Sequence, residues 1–141
     1  MKIGYNRRAS HTPAYGLLAD GWNEVVQDGF APDQQGVSPV TWDNEVIYAV
    51  SDEGDIVGVI AWASAPQSAV YIVTLAYVEP SSRRRGVFKA LFRELTARAV
   101  KQNVIRIDAT VYGDNPRATA AFKRVGGMPA AVTLENDLML V

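Results

Sequence analysis

The sequence predicts a mixed α/β fold, a central mixed sheet of about seven strands flanked by helices, and three observations carry that expectation. Short β-branched and aromatic runs alternate with stretches whose apolar residues recur at helical spacing. The order reads strand, helix, three strands, helix, strand, helix, two strands. The chain has 141 residues, 48% hydrophobic and 21% charged, values that suit one buried core. No repeat, low-complexity tract or Pro/Gly-rich linker divides it, so residues 1–141 are expected to form a single domain.

The elements follow in order. Residues 2–6 read as a short strand. From Thr12 to Gly29 the apolar positions Leu17, Leu18, Trp22, Val25 and Val26 fall on one helical face. The stretch from Phe30 to Pro39, rich in Pro, Gly and Gln, reads as a loop. Val46–Val50 and Ile56–Trp62 form a hairpin pattern around Ser51-Asp52-Glu53-Gly54-Asp55. Ala69–Val78 is a third strand, apolar on both faces and therefore central. After the loop Glu79–Gly86 a helix runs to about Lys101, with its stripe at Val87, Phe88, Leu91, Phe92, Leu95 and Ala99 and an i,i+4 pair at Glu94 and Arg98. Val104–Tyr112 reads as a strand. Asn115–Val125 reads as a helix, with Asn115 as N-cap, Pro116 in the first turn, and Gly126 and Gly127 at the end. Ala130–Leu134 and Leu138–Val141 complete the pattern as a strand pair.

Composition removes several chemistries. The chain has no cysteine, which excludes disulfides, thiolate catalysis and cysteine-held metals. His11 is the single histidine, so neither a histidine metal site nor a Ser-His-Asp triad is expected, and no metal is assigned. No apolar run approaches the roughly 20 residues that span a bilayer. Met1–Tyr5 lacks the apolar stretch of a secretory signal, and a cytoplasmic location without membrane contact is expected. Residues 1–70 carry 3 basic and 9 acidic side chains, whereas residues 71–141 carry 11 and 6. Such a split suits a second half that meets an anion and a first half that draws a cation; it is also what solvated surface produces by chance.

The informative stretch is the turn into the helix at Gly86. Arg83, Arg84 and Arg85 stand at a helix start, where the helix dipole favours negative charge. An anion on the free N–H groups of the first turn would remove that conflict, and Gly86 would let backbone approach it closely. There is no G-x-x-x-x-G-K-[ST] and no G-x-G-x-x-G, so the two best-known phosphate loops are absent. The bland reading is three solvated arginines. Nucleic-acid binding is disfavoured by a pI near 5.8 and by there being one such cluster.

These residues resemble a family. The GNAT acyltransferases carry a strand ending V-x-P and, shortly after, [QR]-x-x-G-x-[GA] at a helix start. Here Val78-Glu79-Pro80 precedes Arg83-Arg84-Arg85-Gly86-Val87-Phe88, which matches at every position but the last. About thirty residues on, the family has a helix of form N-x-x-A-x-x-x-[YF] that ends in Gly; here Asn115-Pro116-Arg117-Ala118 leads to Phe122 and Gly126. The two segments lie in the right order with a strand between them.

The resemblance implies acetyl-CoA as co-substrate, with its pyrophosphate on the loop and first helical turn spanning Arg83, Arg84, Arg85, Gly86, Val87, Phe88 and Lys89. It implies that the pantetheine arm pairs with the strand margin at Ala76, Tyr77 and Val78, and that the Val78 amide polarises the thioester carbonyl. Asn115 and Phe122 would face the cofactor, although Asn115 is equally well explained as an N-cap. Two positions depart from the family. Phe88 replaces a small residue, and its ring is expected to point into the core. Phe122 stands where many members have a tyrosine that protonates the leaving thiolate, which phenylalanine cannot do. Members with a basic residue on the central strand place it where this chain has Ile72 or Thr74; Thr74 could hold a water. Of the nearby ionisable groups Tyr112, Asp108 and Glu79, Tyr112 is the preferred proton carrier, with plain packing as its alternative. Trp22, Trp42 and Trp62 are read as core or pocket lining.

The expected activity is therefore transfer of an acetyl group from acetyl-CoA to a primary amine, on a small molecule or a peptide, by direct attack in a ternary complex. The alternatives are a weak or inactive acyl-CoA-binding sensor, which Phe122 favours, and, more distantly, a nucleic-acid-binding domain. Homodimerisation through sheet edges is compatible with the sequence.

Overall fold

The computed structural model describes residues 1–31, 38–65, 69–112, 115–129 and 137–140. One seven-stranded sheet contains β1 (Lys2–Asn6), β2 (Glu45–Val50), β3 (Ile56–Ala65), β4 (Val70–Val78), β5 (Arg106–Thr110), β6 (Gly127–Pro129) and β7 (Asp137–Leu140). Their spatial order is β1-β2-β3-β4-β5-β7-β6. Every neighbouring pair is antiparallel except β4 and β5, which run parallel. The helices are α1 (Tyr15–Gln27), α2 (Val87–Lys101) and α3 (Pro116–Arg124). Among the described residues no helix is long and apolar enough to cross a membrane.

The sheet separates two apolar clusters. Leu18, Trp22 and Val25 of α1 pack on Val46, Val59, Ala61 and Leu75. On the other face Val87, Leu91, Phe92 and Leu95 of α2, with Phe122 of α3, pack on Ile47, Ile60, Trp62 and Val73. Gly58 sets how closely α2 can lie on the sheet. A Cβ there would stand 2.7 Å from Cγ1 of Val87, closer than real Cβ contacts come.

Most of the expected elements are present, with shifted ends. The first helix starts at Tyr15 rather than Thr12, because Ala9–His11 forms a separate 3-10 turn and the Thr12 hydroxyl accepts from the N–H of Ala14. The strand expected over Val104–Tyr112 is Arg106–Thr110. The final pair differs more. Gly126 takes a left-handed turn with φ 96° and Gly127 already belongs to β6, while the stretch expected as a strand, Ala130–Leu134, lies outside the described residues. Trp22 and Trp62 are core, but Trp42 is 63% exposed, with the Arg8 guanidinium over its ring at 5.3 Å.

Two features of β4 shape the site. Against β3 its register jumps, Ala61 pairing with Leu75 and Trp62 with Val73, so Thr74 is an extra residue, a β-bulge. Tyr71 and Val73 face α2, yet Leu75 and Tyr77, still odd-numbered, face α1. Against β5 the pairing covers Val70 to Val73 with Arg106 to Ala109 and goes no further, although β4 continues to Val78. The two parallel strands therefore part at the bulge.

Candidate functional site

The N–H of Glu79 donates to the carbonyl of Val57 on β3 at 3.0 Å. Since backbone groups alternate sides along a strand, Val78 and Ala76 turn their N–H and C=O toward the side β5 has left, while those of Tyr77 face β3. Of the three margin residues expected from sequence, two thus offer backbone to the cleft. The Val78 carbonyl accepts from Nε of Arg83 at 2.9 Å.

Beyond Val78 the chain makes a 3-10 turn, Pro80–Ser82, in which both Ser81 and Ser82 hydroxyls donate to Glu79 Oε1 at 2.9 Å. The Glu79 carboxylate thus accepts within the turn through one oxygen, and Asp108 is paired with Arg106 at 2.8 Å. The backbone then enters the left-handed region twice, at Arg84 (φ 63°) and at Gly86 (φ 78°). For a non-glycine residue that conformation is strained, and such alternation orients successive N–H groups to one side. Gly86 is the N-cap of α2 and carries no side-chain cap, and no acidic residue stands in the first turn. Ala90 is the first residue to donate back into the helix, to Gly86, so the donors at the start of α2 have no intrahelical acceptor. A Cβ at Gly86 would meet nothing within 4 Å, so the space beside these donors is open. An uncapped, unopposed helix start with open approach fits a phosphate group.

The three arginines are not equivalent. Arg83 is half-buried; its NH2 group donates to both carboxylate oxygens of Glu24 on α1, at 2.9 and 3.1 Å, and its guanidinium lies 5.4 Å from the Tyr77 ring centre. Its charge is committed to holding α1 against the end of β4. Arg84 and Arg85 are exposed and, like exposed Lys89, remain available to an anion. Glu24 also pairs with Arg117 in the first turn of α3, so one carboxylate joins α1, the β4–α2 turn and α3. Burial, and then the nearby Glu24 charge, push the Tyr77 phenol up, which keeps it protonated.

Phe88 behaves as its place on the apolar stripe suggests. Its ring meets Phe122 edge-on at 5.5 Å and stacks on Phe92 at 6.1 Å. Phe122 is 5% exposed and belongs to the core under α2. Asn115 acts as the N-cap of α3, its Oδ1 accepting from Ala118 N–H at 3.3 Å. Val87 is buried beneath the turn.

Two expected catalytic residues meet at the bulge. The Tyr112 hydroxyl reaches across the opening to the Thr74 carbonyl at 3.5 Å, and its ring packs edge-on to Trp22 at 5.1 Å. The Thr74 hydroxyl lies 2.8 Å from Asn44 Oδ1 and 3.2 Å from the Ala61 carbonyl, two acceptors for one proton. Asn44, 3% exposed, is held by its own loop through Thr41. Ile72, with Thr74 one of the two positions at which the resemblance would place a base, is apolar and 38% exposed. Sequence reasoning missed Glu24, Arg117 and Asn44. Each sits in an unremarkable local pattern, and only the tertiary fold brings it to the cleft.

Comparison with known proteins fits this geometry. Residues 14–127 match the family model described as Acetyltransferase (GNAT) family. A curated relative, the mycothiol acetyltransferase of Beutenbergia cavernae, is 30% identical over 94 residues, 65% of this chain and 32% of that protein. The chain thus spans about a third of the length of the curated relative it matches. Among solved structures, Tetrahymena GCN5 superposes with a TM-score of 0.74 at 15% identity, covering 99% of this chain and 95% of that one. The catalytic domain of Tetrahymena GCN5 histone acetyltransferase in complex with coenzyme A gives 0.70 at 18% identity, over 99% and 93%. A GNAT-family acetyltransferase from Staphylococcus aureus Mu50 gives 0.69 at 14% identity, over 98% and 97%.

Proposed function

Because this chain belongs to the GNAT acetyltransferase family, we propose that it transfers an acetyl group from acetyl-CoA to a primary amine by direct attack within a ternary complex. The observation that carries the reading is the junction of two features at one end of β4: a strand margin released from β5, and an uncapped helix start immediately beyond it. The margin offers backbone groups to a linear amide-bearing arm, and the helix start offers donors to a diphosphate.

Acetyl-CoA supplies the activated acyl carbon; the protein supplies orientation and proton handling. Arg84, Arg85 and the amides from Gly86 to Lys89 hold the diphosphate, and Ala76 and Val78 align the arm. The N–H of Val78 stabilises negative charge on the carbonyl oxygen as it develops. The acceptor ammonium first releases one proton to water. The neutral nitrogen then bonds to the carbonyl carbon as the C–S bond breaks and the electron pair leaves with sulfur. Tyr112 is the residue we assign to give its phenol proton to the departing sulfur, and the second amine proton, relayed through water, restores the phenol; Phe122 has no proton to give and is packed into the core. Holding both reactants in register supplies much of the acceleration.

The same Phe122 packing favours a second reading, an acyl-CoA-binding module without turnover. Both readings are tested by melting the protein with and without millimolar acetyl-CoA and assaying an amine panel for acetylated product. The proposed function expects a higher melting temperature and product; stabilisation without product selects the binding module, and neither effect overturns both.

A further inference from the structure

On the far side of the Thr74 bulge lies a concavity of about 320 Å³ lined by Arg7, Asp43, Asn44, Glu45, Ala63 and Ser64. It shares a wall with the cleft: Asn44 lines it and is bonded to the Thr74 side chain, while the Thr74 carbonyl faces Tyr112. Ala63 pairs with Ile72, so the floor continues onto the central strand.

Both of its carboxylates are held by hydroxyl donors. Glu45 accepts from the Tyr5 hydroxyl through one carboxylate oxygen and from the Ser64 hydroxyl through the other, both at 2.6 Å. Asp43 accepts from the Thr41 hydroxyl. These neutral donors orient both carboxylates and leave their charge uncancelled, since a carboxylate has further lone pairs to offer. Arg7 lines the same concavity and, among the described residues, makes no ion pair with either. A guanidinium and two carboxylates around one space, none neutralising another, complement a ligand that carries both signs itself. One guanidinium matches the planar fork of a carboxylate. A phosphate dianion would meet two acidic neighbours with a single cation.

We infer that this concavity seats the acetyl acceptor, and that the acceptor is an amine that also bears a carboxylate, of amino-acid size and class. Arg7 holds the carboxylate, and Asp43 draws the ammonium beside the wall that Asn44 shares with the bulge. The inference rests on the acetyltransferase reading above and names the substrate class of that same site.

The test is steady-state kinetics with acetyl-CoA on three matched sets: free amino acids, their methyl esters, and alkylamines of the same length. Free amino acids should be the preferred acceptors. Arg7→Ala should lower the acid-over-ester preference in kcat/KM about tenfold or more, the size of one lost charge-assisted pair. Asp43→Asn should raise KM for the amine in both acid and ester sets. Arg7 and Asp43 are exposed, and a melting curve for each variant separates binding from folding. Wild-type indifference between acid and ester, or an Arg7→Ala effect equal on both, overturns the inference. If acetyl-CoA stabilises the protein but no member of the panel is acetylated, the inference falls while cofactor binding stands. If acetyl-CoA does not bind, the acetyltransferase reading falls first.

Discussion

Phe122 is packed away from the cleft and Tyr112 reaches it, which is the arrangement that a proton-delivering Tyr112 requires. The helix position expected to carry a phenol holds a ring locked edge-on against Phe88, whereas a phenol from the end of β5 reaches the bulge. Tyr112→Phe is therefore expected to lower kcat by about tenfold or more, in the range of a lost general acid, with KM for acetyl-CoA little changed. Stopped-flow release of free thiol would measure it. A second residue-scale prediction concerns pH. Burial, then the hydrogen bond to Glu45 and its charge, raise the Tyr5 phenol from 10.0 to about 12. A group whose folded pKa lies above its unfolded value lends stability that is whole below pH 10 and disappears as the pH rises through about 12. Denaturation midpoints across that window should fall for the wild type and fall less for Tyr5→Phe. The Tyr112 candidate was legible because it closes a strand beside the loop motif. The Glu45–Tyr5–Ser64 arrangement was not, since its members come from three strands and none has a diagnostic neighbour.

Helix α2 was the most legible element: its stripe, its i,i+4 pair at 3.4 Å and its glycine start all follow from local spacing. What spacing could not reveal is that Arg83 turns back to α1 while Arg84 and Arg85 stay outward, because that depends on Glu24, 59 positions away. Gly86→Ala tests the helix start. Its φ of 78° makes alanine cost about 1–2 kcal/mol, although a methyl would touch nothing in the protein. Isothermal titration should show acetyl-CoA binding weakened beyond what that strain explains, since the methyl occupies the open approach. Glu24→Gln tests the junction of α1, the β4–α2 turn and α3. Two arginines lose a partly buried carboxylate, and urea unfolding should report a loss of about 1–3 kcal/mol. The final strand pair was the least legible element. Its glycines read as helix-ending signals, which they are, but Gly127 also starts β6, and a three-residue strand leaves almost no periodicity to detect.

At the scale of the molecule, the order of elements and the mixed sheet were readable because long apolar runs and helical stripes rarely mimic one another. The uneven charge of the two halves is also visible in space. The basic second half supplies Arg84, Arg85 and Lys89 at the start of α2, and the acidic first half supplies Asp43 and Glu45 to the concavity that Asn44 lines. The bulge at Thr74 stayed hidden: a strand apolar on both sides reads the same with or without an extra residue. Its consequence is local. The extra residue lets the strand bend while Val73 and Leu75 keep adjacent partners on β3 and opposite helices. Deleting Thr74 would join Val73 to Leu75 in regular alternation and leave Leu75 and Tyr77 on α1, but it would remove the carbonyl that Tyr112 reaches and the hydroxyl bonded to Asn44. Such a deletion spares the packing of the strand and dismantles the wall of the cleft, so redesign of this end must keep the bulge.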